Sequence, residues 1–218
     1  MSVKEITRDI LTIKNALISC YDKIGLKYFA AELVKLNPEV KIYCSSGTYG
    51  ELKKVIAAAN LAEISEYTGM KEMPSGLVKT LHPKIHAGIL ADLDNEQQRR
   101  YLEENKTVAF DLVVVNLYPF AAATEEGGIE KARTNLDIGG VSLIEAAAKN
   151  FLRVGVIVSP VDYEKLLELL RKNNGIGIDI RLQLAKTALN YLSAYLENIS
   201  RYYDKLTATA VKKEYKVE

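Results

Sequence analysis

The sequence predicts an α/β fold: a mainly parallel central sheet flanked by helices in three layers, followed by a helical C-terminal segment. Three features carry this expectation. Short apolar runs alternate with stretches of helical spacing through the first three quarters of the chain. The runs are nearly continuous in apolar residues, as strands covered on both faces require. Beyond about Asp179 no further strand-like run occurs.

The elements follow in order. ALISC (16–20) is a short buried strand, and GLKYFAAELVKL after it has helical spacing. KIYCSS (41–46) is the second strand, and GTYGELKKVIAAAN reads as a helix with an alanine-rich end. AEIS (62–65) is a weaker third strand, followed by a long Gly-, Pro- and polar-rich stretch over roughly 67–88. QQRRYLEEN is a charged surface helix, and DLVVVNLYPF (111–120) is the strongest buried strand. VSLIEAAAKN is an alanine-rich helix leading into the last core strand, RVGVIVSP. PVDYEKLLELLRKN is amphipathic with Pro160 near its start, and RLQLAKTALNYLSAYLENISRYY closes the fold as a helix. TATAVKKEYKVE reads as a frayed end. The expected division is an extension over 1–13, one domain over 14–203 and a tail over 204–218.

The totals exclude several classes. A net charge of +1 and a pI near 7.7 give no electrostatic footprint for nucleic acid. No apolar run approaches the roughly 18–20 residues of a membrane span, and the charged start is no signal peptide. A cytoplasmic location is the expectation. Cys20 and Cys44 each end a buried strand, where reduced thiols serve as small apolar fillers.

In open parallel sheets, ligands lie beyond the carboxyl ends of the strands. The loops expected there are Ser19-Cys20-Tyr21-Asp22-Lys23, Ser45-Ser46-Gly47-Thr48, Asn116-Leu117-Tyr118-Pro119 and Asp137-Ile138-Gly139-Gly140. Ser45-Ser46-Gly47-Thr48 opens a helix, so it suits a phosphate and equally an ordinary N-cap. No Walker loop or G-x-G-x-x-G pattern occurs. The two histidines, His82 and His86, stand four apart, but Pro83 disfavours helical geometry at His82 and no third ligand is close in sequence. No metal is expected. Lys149 ends an alanine-rich helix, and it is either a cation favoured by the dipole or a buried proton carrier.

YTGMKEMPSGLVKTLHPKIHAGIL, DLVVVNLYPF, NLDIGGVSLIEAAAKN and, more loosely, LISCYDKIGL and SSGT occur in unbroken order over roughly residues 14–200. Together they resemble the inosine monophosphate (IMP) cyclohydrolase domain, the N-terminal half of the bifunctional purine enzyme that also carries a transformylase. The resemblance implies a methylglyoxal-synthase-like fold, a homodimer, and neither metal nor organic cofactor. It implies dehydrative ring closure of a formamidoimidazole carboxamide ribotide to IMP.

By the same resemblance, Lys149 falls on a proton-shuttling lysine, and Lys79, Tyr118 and Asp137 on the other catalytic positions. Thr80 and Asn116 match substrate contacts, while Asp137 and Ile138 match the pair holding the carboxamide end. Lys23, Ser45, Gly47 and Thr48 match positions holding the nucleotide and its phosphate. Tyr21, Asp22, Ser46, Leu77, Val78, Val115 and Gly139 complete the implied substrate-binding set.

The departures from the family pattern concern anion binding. Leu77 stands where the family has arginine, Tyr21 and Ile24 replace small hydroxyl residues, and Glu145 replaces an arginine. Two functions follow. One is a stand-alone cyclohydrolase fed by a separate formyltransferase, since the chain stops where a transformylase half would begin. The other is a weak or inactive purine-nucleotide-binding paralogue acting as sensor or partner subunit.

Overall fold

The computed structural model describes residues 9–74, 77–125 and 127–215. Gly76 of the GLVK stretch, the first eight residues of the expected extension and the last three of the tail lie outside them.

The described residues hold five parallel strands: β1 Asn15–Cys20, β2 Lys41–Cys44, β3 Leu61–Glu63, β4 Leu112–Asn116 and β5 Gly155–Ile157. Their order is β3-β2-β1-β4-β5. The chain runs outward from β1 in one direction and from β4 in the other. The topological switch point therefore lies between the carboxyl ends of β1 and β4, where Cys20 pairs with Asn116. β4 is buried along its whole length, as its unbroken apolar run predicts.

Helices cover both faces. On one side α1 (Leu26–Leu36) and α9 (Tyr163–Asn173) bury Phe29, Leu33, Leu166 and Leu167 against β1 and β2. On the other, α4 (Pro83–Leu90), α8 (Gly139–Lys149) and α10 (Ile178–Tyr203) bury Ile85, Ile89, Leu143, Ile144, Ala188 and Leu192. Each large aliphatic side chain so buried contributes about 1.5–3 kcal/mol. Small residues at Ala146, Ala147 and Ala148 let α8 pack tightly, and this is the physical reason for its alanine-rich end.

Several boundaries depart from the sequence expectation. The helix expected over GTYGELKKVIAAAN stops early, as α2 (Ser46–Leu52), with a 3-10 turn over Ala58–Asn60. The chain must turn there to bring Leu61 beside Ile42, and the Asn60 amide ties the turn to the Pro38 and Val40 carbonyls. The long polar stretch is bounded by helices at both ends, α3 (Ile64–Thr68) and α4. Pro83 does force extended geometry on His82, yet it then serves as the first residue of α4, where its missing N–H costs nothing. His82 Nδ1 accepts from Lys84 N at 3.1 Å and caps that helix.

α5 (Glu96–Glu104) forms as expected, whereas α6 (Phe120–Glu125) and α7 (Ile129–Thr134) between β4 and α8 were not foreseen. The end expected to fray instead forms α11 (Ala208–Tyr215). Its Glu214 carboxylate accepts from Ile129 N at 3.0 Å and Glu130 N at 2.9 Å, satisfying the open N–H groups that begin α7. At the other terminus Ile13 is buried in the core and Leu11 bridges Ile176, so the sheet domain takes in chain before residue 14. Arg181 is fully buried and donates to the carbonyls of Asp9, Phe151, Leu152 and Ile176, fastening that segment to α10.

Candidate active site

The loops at the switch point are interlocked by side chains. Asn116 Oδ1 accepts from Asp22 N at 2.8 Å, and its Nδ2 donates to Asp22 O at 3.0 Å. This pair fastens the loop after β1 to the end of β4. Asp22 Oδ1 in turn accepts from Ile24 N at 2.9 Å, and Lys23 Nζ donates to Tyr21 O at 3.2 Å. The rings of Tyr21 and Tyr118 meet at a centroid distance of 5.1 Å.

A second set of hydroxyls joins β1 to α2. Ser19 Oγ donates to Ser45 Oγ at 3.2 Å, and Thr48 Oγ1 accepts from Cys20 N at 3.3 Å. Ser45 and Thr48 are buried framework, and Ser45 occupies the N-cap position of α2 without a capping bond from its side chain. Beside them a depression of about 490 Å³ is lined by Lys23, Gly25, Lys27, Tyr28, Gly47 and Glu51. Lys27 is paired with Glu51 at 2.7 Å, which leaves Lys23 as the cation on that side not committed to a carboxylate among those lining residues.

The catalytic candidates converge from two further directions. Asp137 precedes α8 and follows α7, rather than a strand as expected. Its Oδ1 accepts from Gly140 N at 2.7 Å, and the Tyr118 N–H faces the carboxylate and favours its charged form. Burial pushes the Asp137 carboxyl up from the ordinary aspartate range. Those two N–H groups and the Lys79 charge oppose the shift.

Thr80 is buried against the start of α8, so close that a Cβ on Gly139 would lie 2.6 Å from its Oγ1. A Cβ on Gly140 would meet Leu117 at 2.5 Å and Asp137 Oδ2 at 2.9 Å. The two glycines of the DIGG segment are therefore what allows Thr80 and Asp137 to share the first turn of α8. Lys79 Nζ lies 3.6 Å from Glu72 Oε1, and Glu72 Oε2 accepts from Ser46 Oγ at 2.7 Å.

A polar circuit results, bonded along part of its path. Asp22 bonds Asn116, Lys79 pairs with Glu72, Glu72 bonds Ser46 and Ser19 bonds Ser45, while Lys79 acts on Asp137 only as a nearby charge. Around it Ile138, Leu77 and Val78 are exposed, and Val78 has a left-handed backbone with φ 57°, unusual for a β-branched residue.

Two of the expected site residues do not bring their side chains to this group. Lys149 is exposed at the last turn of α8, about 15 Å along the helix from Gly139. Its neighbour Asn150 bonds the Ile89 and Ala91 carbonyls, and Arg153 reaches Phe110 just before β4, so this end of α8 lies at the opposite edge of the sheet. The structure does not bring Lys149 to the other candidates. Val115 is buried with its side chain in the core, which leaves only its backbone toward the site. Glu145 is exposed partway along α8, and Lys84 is engaged by the Tyr67 carbonyl at 3.3 Å and the Tyr67 ring.

Sequence reasoning missed three residues. Glu72 is one. The others are Tyr191 and Tyr195 of α10, whose hydroxyls accept from Leu117 N at 3.1 Å and Asp137 N at 2.8 Å. Their spacing of four places both hydroxyls on one helix face, a signal present in the sequence but shared by any packed tyrosine pair. Among the described residues no three His, Cys, Asp or Glu side chains form a metal-holding group, and no helix is long and apolar enough to cross a membrane.

A parallel sheet of this order, with a polar circuit over its switch point, defines a doubly wound α/β domain. The chain belongs to the MGS-like domain family, whose model matches residues 25–142. Residues 147–218 match a second family, the AICARFT/IMPCHase bienzyme. The bifunctional purine biosynthesis protein PurH of Rhodopirellula baltica is 41% identical over 196 residues, covering 89% of this chain and 37% of that protein. PurH of Clostridium botulinum (strain Hall) is 42% identical over 191 residues, or 87% of this chain and 38% of that protein. The chain thus spans under two fifths of the length of these relatives. The crystal structure of ForH superposes with a TM-score of 0.72 at 28% identity, covering 88% of this chain and all of that one.

Proposed function

We propose that this domain is an IMP cyclohydrolase, closing the second purine ring by loss of water from a formamidoimidazole carboxamide ribotide. The observation that carries the reading is the meeting of Thr80 and Asp137 at the first turn of α8, with the Tyr118 N–H and the Lys79 charge acting on the Asp137 carboxyl. The similarity to PurH proteins over most of the chain supports it.

In this reading the carboxamide nitrogen attacks the formyl carbon, so a C–N bond forms and negative charge develops on the formyl oxygen. Asp137 accepts from the carboxamide N–H and orients it. Lys79 and Tyr118 stand on the side of the developing oxyanion, where fixed donors count most. The carboxamide nitrogen gives up one proton and the formamide nitrogen another, the C–O bond of the former formyl group breaks, the oxygen departs as water, and a C=N bond to the formamide nitrogen completes the ring. The depression beside Lys23 and Gly47 takes the ribose phosphate. Lys149 has no place in this assignment for a single chain. The enzyme acts as a homodimer on the formylated ribotide.

Purified protein mixed with the formylated ribotide is expected to form IMP, followed by absorbance, and Lys79→Ala is expected to lose that turnover. Tight IMP binding without turnover would replace the reading with that of a nucleotide-binding paralogue. Leu77, Tyr21 and Glu145 are the residues that favour this second reading.

A further inference from the structure

We propose that Glu72 is a positioning residue of this site, holding the Lys79 ammonium and the Ser46 hydroxyl on the two oxygens of one carboxylate. The inference rests on the cyclohydrolase reading, which gives Lys79 its oxyanion role. Glu72 lies outside the helices and strands, in the stretch between α3 and α4. Its Oε2 accepts from Ser46 Oγ at 2.7 Å, a short bond that ties this stretch to the first residue of α2. Its Oε1 lies 3.6 Å from Lys79 Nζ. Both partners of that ion pair are about three quarters shielded, with side-chain exposures of 25% and 24%.

The two distances differ, and the difference assigns the roles. The Ser46 bond is firm and fixes where the carboxylate sits. The Lys79 separation is too long for a full hydrogen bond and acts as a guide. An ammonium carries three donors on a flexible four-carbon stem. A neighbouring carboxylate at this range biases the stem toward one direction and leaves the donors available for a developing oxyanion. Lys79 needs such a guide because it is flanked by Val78, whose left-handed backbone is unfavourable for a β-branched residue. On its other side Thr80 is already fixed against Gly139. Glu72 thus couples the nucleotide-holding start of α2 to the reacting end of the site, without touching substrate.

Three variants test this. Glu72→Gln keeps an acceptor for Ser46 and removes the charge facing Lys79, so kcat should fall about tenfold with KM changed less than about twofold. Ser46→Ala keeps the charge and removes the tether. Combined with Glu72→Gln it should lower kcat by less than the product of the single effects, since both act through one carboxylate. Glu72→Ala should speed amide exchange over residues 70–74 and 77–80 in the ligand-free protein, a readout that needs no turnover.

A wild-type enzyme that turns over, with Glu72→Gln matching its kcat or Glu72→Ala leaving exchange unchanged, would overturn this inference alone. A wild-type protein that forms no IMP would remove the cyclohydrolase reading and the role of Glu72 with it.

Discussion

Asp137 is the residue whose chemistry and stability pull in opposite directions. Its folded-state carboxyl is raised by burial, so the folded protein holds that proton to higher pH than the unfolded chain does. The contribution to stability is therefore fully present below the ordinary aspartate value of 3.8 and is lost as pH rises through the folded value. Asp111, also raised by burial, adds a slope of the same sign. Asp137→Asn should accordingly flatten the decline in stability above pH 3.8 and melt no lower than wild type at neutral pH, while losing turnover. Thermal melts across pH, set beside the ring-closure assay, check both halves. Leu77 is the opposite case, a side chain 55% exposed that packs little. Leu77→Arg should leave stability within about 0.5 kcal/mol. It should lower KM more than it changes kcat, because it restores mainly ground-state contact with an anionic ribotide.

At the scale of elements, α8 and α10 together hold Asp137 in place. Helix propensity alone would favour Gly139→Ala by up to about 1 kcal/mol. Contact at 2.6 Å with Thr80 Oγ1 reverses the sign, and a net loss of about 1–3 kcal/mol is expected in a denaturant titration. Tyr195→Phe strands the Asp137 N–H without its acceptor, which costs about 1–3 kcal/mol and should lower kcat.

Much of this element pattern was legible. The strands near 16–20, 41–46 and 111–120 and the amphipathic helices are written in apolar spacing, which local chemistry alone decides. The loop positions at Asp22, Ser45 and Asn116 were legible as well, because each lies at the carboxyl end of a strand, whereas Asp137 follows α7 and its place beside them is set by the fold. The early end of α2 was not, since a tertiary pairing of Leu61 with Ile42 overrides helical spacing there. The distance of Lys149 was readable from an eleven-residue helix rising 1.5 Å per residue, but only once Gly139 was known to start it. Glu72, Tyr191 and Tyr195 were hidden because each acts across more than twenty residues of sequence on a partner that only the fold selects.

At the scale of the whole molecule, a polar circuit lies over the switch point of a parallel sheet, with the Asp22–Asn116 bonds at one side and Lys79–Glu72–Ser46 at the other. Light scattering at assay concentration should return twice the chain mass of 24.2 kDa if the enzyme works as the proposed homodimer. The circuit itself is tested most directly by a crystal structure of the protein with IMP. The account predicts the base between Tyr118, Asp137 and Lys79 at the first turn of α8, and the phosphate toward Lys23 and Gly47. Nucleotide bound away from the β1/β4 crevice, or a crevice left unfilled at saturating IMP, would contradict it.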